Sequence, residues 1–203
     1  MGYLAIVFAA YLIGSSNMAF YLSKLQKKNI RGGGSGNLGA SNAVILLGWK
    51  AGVLVGIHDI GKAVLAVLLA NWLYPGLEYA GVAAGVACVL GHIYPFYLKF
   101  KGGKGFAAYL GMTIALNWKL ALIVLILVVV VTLITDYIVA ATATTVLSVP
   151  ISMGFLTGSW IVALILCIAT GVIIYKHREN FVRIFKGTEI GFRNAATGKH
   201  RMK

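Results

Sequence analysis

The sequence predicts an all-α, polytopic membrane protein of about seven transmembrane helices, some of them short. Three observations carry that expectation. First, 60% of the 203 residues are hydrophobic and only 11% are charged, whereas a soluble domain of this length carries about 25% charged residues. Second, the apolar residues are gathered into long runs at 3–22, 53–73, 79–96, 106–116, 120–134, 137–156 and 160–175. A spanning helix needs roughly 17 to 25 such residues, so four or five of the runs reach or approach that length. Third, 16 of the 18 Lys and Arg residues fall in three polar segments: Lys24, Lys27, Lys28, Arg31 and Lys50; Lys99, Lys101 and Lys104; and eight between Lys176 and Lys203.

Taken in order, the run 3–22 reads as a retained helix, because it has no basic leader and no small-residue cleavage site follows it. The runs on either side of Asn117-Trp118-Lys119 are either two short tilted helices joined by a tight turn or one long helix with a polar break. The charge distribution selects two. With seven crossings, all three basic segments fall on one side, as the positive-inside rule requires, with the N-terminus outside and the C-terminus inside. The turns 74–78 and 157–159 contain no basic residue. This distribution accounts for the net charge of +13 without a nucleic-acid partner. Cys88 and Cys167 both lie in apolar runs and read as small core residues, with no disulfide or metal site. No repeat or low-complexity linker divides the chain, so residues 1–203 form a single expected domain.

The 25 glycines are unevenly placed. Gly52, Gly56, Gly81, Gly85 and Gly171 lie where glycine permits close helix packing in a membrane. Gly32, Gly33, Gly34, Gly36 and Gly39 cluster instead in the first basic segment, and Gly102, Gly103 and Gly105 in the second. In the stretch from Arg31 to Asn42, glycine lets backbone approach a ligand closely, and successive N–H groups can converge on an anion. Ser35 and Ser41 add hydroxyls, Asn37 and Asn42 add amides, and Arg31 adds a planar fork suited to phosphate. A merely flexible loop would need none of these interleaved donors.

The second stretch, Lys99-Phe-Lys-Gly-Gly-Lys-Gly105, leads into an apolar helix. It combines backbone donors, Lys104 and the positive end of a helix dipole. It is not a Walker sequence, since no Ser or Thr follows Lys104 and the spacing is short, so nucleotide hydrolysis is not expected. The third stretch runs from His177 to Glu189, directly after the last apolar run. At helical spacing His177 and Asn180 share a face, and the segment also has the composition of an amphipathic interfacial helix.

Ionisable residues inside apolar runs are costly in lipid and need a reason. Asp59 and Lys62, three apart, are expected to pair and fix helices structurally. His92 reads as a hydrogen-bonded residue near the membrane boundary, and Asp136 as a turn residue. No Asp or Glu is placed as an obvious general base.

Together these stretches resemble the bacterial integral-membrane acyl-phosphate:glycerol-3-phosphate acyltransferases. The resemblance is carried by Gly-Ser-Gly-Asn-Leu-Gly-Ala-Ser-Asn42, by Asp59 with Lys62, and by Gly91-His92 leading to Phe-Lys-Gly-Gly-Lys-Gly105. It is completed by His177-Arg-Glu-Asn180 with Arg183, Gly187 and Glu189. The motifs stand in the family's order from about residue 14 to 190. The resemblance implies a cytoplasmic-face active site in the bacterial inner membrane. It also implies transfer of a fatty acyl group from acyl phosphate to the sn-1 hydroxyl of glycerol 3-phosphate, giving lysophosphatidic acid with no cofactor. By the same resemblance, Ser35, Lys104, His177 and Asn180 hold the phosphates and the acceptor. Arg31, Gly36, Asn37, Ser41 and Asn42, with Gly102, Gly103, Gly105 and Thr142, line the binding sites, and Glu189 is structural.

The chain departs from the family pattern at Ile45, where an arginine is usual, at Asn17 in place of a proline, and at Ala63 and Ala108. Ile45 bears most on function, because the usual arginine would contact a phosphate; Arg31 or Lys50 would then compensate, or the acceptor or activity has changed.

Acyl phosphate is already activated, so the chemistry needs alignment and charge stabilisation more than a protein nucleophile. His177 is expected to orient the acceptor while a substrate phosphate oxygen takes the hydroxyl proton. None of the four histidines has Asp five residues on, which argues against the His-x-x-x-x-Asp acyltransferases. The readings from other classes are a transporter of a small phosphorylated anion and a non-catalytic paralogue. Transporters bind near the bilayer midplane, often between repeats, and neither feature is visible here.

Overall fold

The computed structural model describes residues 1–196; Lys199, Arg201 and Lys203 of the third basic segment lie outside the described residues. All regular structure among the described residues is helical, and it falls into two compact units, Met1–Asn117 and Trp118–Lys203.

In the first unit, α1 (Gly2–Ser15) and α2 (Met18–Leu25) form one apolar rod interrupted at Ser16-Asn17. Asn17 makes the break. It is buried, and its side chain caps α2 by accepting from the Phe20 N–H at 2.8 Å, an N-cap role that asparagine performs well. Its amide nitrogen donates to Leu38 O at 3.2 Å. The short α3 (Ala40–Leu47) leads through Gly48 into α4 (Trp49–Leu73). Helix α5 (Ala80–Ile93) returns antiparallel to α4, and a 3-10 turn (Phe96–Leu98) leads to α6 (Phe106–Leu116).

At three glycines in this unit a helix lies against the backbone of another helix. A Cβ at Gly14 would overlap the Cys88 backbone, one at Gly91 the Tyr11 backbone, and one at Gly111 the Ile60 backbone. Of the glycines expected to pack helices, a Cβ at Gly52, Gly81 or Gly85 would overlap Val44, Asn71 or Met112, one at Gly56 would stand 3.9 Å from the Ala40 Cβ, and one at Gly171 would meet open space. Hydropathy does not distinguish an inward from an outward glycine, and Gly171 faces outward.

The second unit contains α7 (Trp118–Thr135), α8 (Ile138–Thr157), α9 (Trp160–Lys176), α10 (Arg178–Phe185) and α11 (Phe192–Ala196). Thr170 Oγ1 donates to Val146 O at 2.7 Å and ties α9 to α8. Cys167, expected in the core, is exposed on α9, while Cys88 is buried.

Among the described residues, five helical stretches are long and apolar enough to cross a membrane, and α9 with its bent continuation α10 makes a sixth. The remaining apolar helix, α6, has 11 residues and rises about 16 Å, about half of a hydrocarbon core. The chain is thus a multi-pass, all-helical membrane protein, with seven apolar elements among the described residues. Asn117 separates α6 from α7, as expected from the two-helix alternative.

Candidate functional site

The first glycine-rich loop is pinned at both ends by apolar side chains. Ile30 and Leu38 are buried among Ala19, Ala43, Val55 and Leu98. Asn42 organises what lies between. Its Oδ1 accepts from Ser35 N at 3.0 Å, and its Nδ2 donates to Ile30 O at 2.9 Å and Asn37 O at 3.0 Å. Asn42, expected among the binding residues, thus ties the loop together through both ends of its amide. Gly34 and Gly36 adopt positive φ (56° and 64°), and a Cβ at Gly34 would overlap Asn42 Oδ1. The result leaves Ser35 and Ser41 exposed, with Gly36 and Asn37 half-buried. Ile45 lies beneath this loop, its Cγ2 3.8 Å from where a Gly34 Cβ would stand.

The second loop shares the same core through Leu98. Two consecutive non-glycine residues, Lys99 and Phe100, take left-handed conformations (φ 55° and 57°), a costly geometry for side chains. They turn the chain back onto the end of α5: Phe100 N donates to Pro95 O at 3.1 Å, Gly102 N to Ile93 O at 3.0 Å and Gly103 N to His92 O at 3.1 Å. The expectation that this loop offers successive N–H groups to an anion is therefore corrected for Gly102 and Gly103, whose N–H groups are engaged with α5. Gly105 (φ 95°) caps α6, and Lys104 stands half-buried between. Arg31 Nη2 donates to Lys101 O at 2.5 Å, which brings the two glycine-rich loops together at one end of the unit. At the α4–α5 turn, at the other end, Tyr79 N donates to Tyr3 OH at 3.4 Å.

Below the second loop lies a buried polar cluster. Lys62 Nζ reaches Asp59 Oδ1 at 2.8 Å, Ser16 O at 2.7 Å and His92 Nδ1 at 3.0 Å. His58 is 3.4 Å from Asp59 Oδ1 and 3.0 Å from Ser16 Oγ. The Asp59–Lys62 pair joins α4 to the α1–α2 break and to α5; that His92 completes it could not be read from spacing.

In the second unit, His177 sits at the junction of α9 and α10, where the axis bends by 48°. The ring is buried and Nδ1 lies 2.8 Å from Ile173 O. A carbonyl only accepts, so Nδ1 carries the proton and, in the neutral ring, Nε2 the lone pair. Asn180 is also buried, one turn along the same face. Its Nδ2 donates to Glu189 Oε1 at 2.6 Å, and Arg183 Nε donates to Glu189 Oε2, also at 2.6 Å. Glu189 thus fixes which way the Asn180 amide points. Thr142 is buried with its hydroxyl turned back to Ile138 O at 3.0 Å, whereas the buried Thr145 Oγ1 has no partner among the described residues. Asp136 takes φ 65° and receives the tail, with Phe192 N donating to its backbone oxygen at 2.7 Å and Arg193 N to Oδ1 at 2.9 Å. This docking had no signal beyond a polar residue in a turn.

A multi-pass helical protein with glycine-rich, cation-bearing loops and a buried His-Asn pair defines a class of membrane enzymes that handle phosphorylated substrates. The chain belongs to the glycerol-3-phosphate acyltransferase family, whose sequence model matches residues 4–187. It is 36% identical over 190 residues to a glycerol-3-phosphate acyltransferase of Prochlorococcus marinus (strain MIT 9215), covering 91% of this chain and 94% of that one. It is 37% identical over 191 residues to that of Coxiella burnetii (strain CbuG_Q212), covering 93% and 97%. Among solved structures it matches PlsY (YgiH), an integral membrane glycerol 3-phosphate acyltransferase. The glycerol 3-phosphate form aligns with a TM-score of 0.89 at 33% identity, over 97% of this chain and 98% of that chain. The lysophosphatidic acid form aligns with a TM-score of 0.85 at 32% identity, over 97% and 100%.

Proposed function

We infer that this protein transfers a fatty acyl group from acyl phosphate to the sn-1 hydroxyl of glycerol 3-phosphate, releasing lysophosphatidic acid and phosphate. The observation that carries this reading is that the phosphate-type loops and the His177–Asn180 pair occur in one chain whose relatives are glycerol-3-phosphate acyltransferases along nearly its whole length. One family model runs across both compact units, which supports treating residues 1–203 as one catalytic domain.

Lys104 and Ser35 hold phosphate oxygens in this reading, with Arg31, Gly36, Asn37 and Ser41 completing the first loop and Gly102, Gly103 and Gly105 shaping the second. His177 orients the acceptor, with Asn180 beside it, and Thr142 lines the acyl-transfer region. The hydroxyl oxygen attacks the acyl carbon, the acyl–phosphate bond breaks, and a phosphate oxygen takes the proton. The cations stabilise charge on the leaving phosphate. No covalent acyl-enzyme is required.

The membrane is the bacterial cytoplasmic membrane, with the N-terminus outside and the basic loops and C-terminus inside. The positive-inside distribution supports this orientation, as does the meeting of Arg31 and Lys101 at the end of the first unit away from Tyr3 and Tyr79.

The test is release of phosphate from acyl phosphate by purified protein, with and without glycerol 3-phosphate. Acceptor-dependent release is expected. Uptake of a phosphorylated anion into vesicles without release would identify a transporter instead, and neither release nor uptake would identify a non-catalytic paralogue. In His177→Gln at saturating substrate, residual turnover is expected; complete loss of kcat with binding intact would make His177 the base.

A further inference from the structure

The buried cluster under the second loop is stoichiometrically closed. A lysine ammonium has three N–H donors and no acceptor. Lys62 Nζ faces three acceptors, Asp59 Oδ1 at 2.8 Å, Ser16 O at 2.7 Å and His92 Nδ1 at 3.0 Å. His92 Nδ1 therefore accepts, and in the neutral ring the proton lies on Nε2. Asp59 Oδ1 and His92 Nδ1, 3.3 Å apart, are then two acceptors of one ammonium. The imidazole is held on its Nδ1 side by a buried charge and cannot swing away as an exposed side chain would.

The opposite side of the same ring carries the second glycine-rich loop. A Cβ at Gly103 would overlap Nε2 and crowd Cε1 and Cδ2, and a Cβ at Gly102 would overlap the His92 carbonyl oxygen. The loop is also bound to this residue by its backbone, through Gly103 N to His92 O at 3.1 Å. His92 thus holds the loop by its carbonyl and spaces it by its ring, and Lys104 is the next residue along.

We propose that His92, clamped by Asp59 and Lys62, is a positioning residue that sets the height of the Gly102–Gly103 backbone and so the placement of Lys104 toward a substrate phosphate. This rests on Lys104 holding phosphate in acyl transfer.

The test is second-site suppression. Gly103→Ala places a methyl group against a ring that cannot yield, so the loop must move. A displacement of about 1 Å at a phosphate-holding residue lowers turnover by about 100-fold. His92→Asn keeps an acceptor where Nδ1 stood, so Lys62 stays satisfied, and removes the Nε2 edge that the methyl group meets. The double variant Gly103→Ala/His92→Asn is therefore expected to turn over at least about threefold faster than Gly103→Ala alone, with a lower KM for acyl phosphate.

A double variant below that ratio, or a Gly103→Ala protein as active as wild type, overturns the proposal. A purely structural His92 would make the two changes additive, each worsening the other. If Gly103→Ala yields no folded protein, recovery of folded protein in the double variant is read the same way. Wild-type phosphate release and its loss in Lys104→Ala are measured alongside. Their failure would refute the acyltransferase reading, whereas absent suppression with both intact would refute only the role of His92.

Discussion

Glu189 holds Asn180 and Arg183 at the same time, one carboxylate oxygen to each, at 2.6 Å. A carboxylate between an amide and a guanidinium fixes the rotamers of both, and bonds to a charged group are the stronger ones. Because Asn180 is buried beside His177, releasing its amide allows the side chain to rotate within the pair proposed to orient the acceptor. Glu189→Ala is expected to lower kcat/KM by at least about tenfold. Glu189→Gln should lie between, because it keeps one acceptor. Steady-state kinetics on the two variants checks the order; a Gln variant worse than Ala would contradict it.

Lys62 and Asp59 are almost wholly buried, with side-chain exposures of 4% and 2%. Removing one partner of such a pair leaves an uncompensated buried charge at a cost of about 3–5 kcal/mol. Lys62→Met and Asp59→Leu are each expected to lower the melting temperature of the detergent-solubilised protein substantially. The double variant should melt above either single one, although it lacks more native contacts. Thermal unfolding of the three variants decides it, and an additive double variant would show that the charges are not coupled.

Asn42 makes three hydrogen bonds that close the first loop. In Asn42→Ala the Ser35 N–H and two backbone carbonyls lose their partner, and the loop opens locally before the protein unfolds globally. Trypsin cleavage after Arg31 should accelerate at least about tenfold, since a loss of 1.4 kcal/mol in local stability is that ratio. Asn42→Asp keeps the acceptor but loses both donors and should be intermediate. Equal cleavage rates in wild type and Asn42→Ala would contradict the scaffold role.

Asp136 combines a left-handed backbone with a side chain that accepts from Arg193 N. Asparagine tolerates that backbone and keeps the acceptor, whereas a β-branched residue does neither. Asp136→Asn is expected to retain tail docking and Asp136→Val to lose it. Limited proteolysis of the segment after Gly187 measures the difference; similar protection in both variants would contradict it.

Much of this was legible in composition and spacing. Hydropathy located all seven apolar elements, and the charge distribution, rather than the polar residues Asn117-Trp118-Lys119 themselves, selected two helices where α6 and α7 meet. The glycine-rich loops and Lys104 stood out because loops seldom carry interleaved donors for conformational reasons alone, and His177 and Asn180 by their helical spacing. Direction was not legible. Asn42 turns inward and Ser41 outward although they adjoin in the first turn of α3, and the Gly102 and Gly103 N–H groups are consumed by α5 because the left-handed Lys99 and Phe100 fold the chain back. The contacts at Gly14, Gly91 and Gly111 join residues far apart in sequence, and a glycine's hydropathy is the same whether it meets a helix or lipid, as Gly171 shows.

The claim on which the rest depends is acyl transfer with the phosphates held by the cationic loop. Its most direct measurement quantifies lysophosphatidic acid and phosphate formed together from acyl phosphate and glycerol 3-phosphate, for wild type and Lys104→Ala. Equal amounts of the two products are expected in wild type, none of either without acceptor, and a loss of at least about 100-fold in Lys104→Ala. Phosphate release without lysophosphatidic acid, or undiminished transfer by Lys104→Ala, would contradict the account.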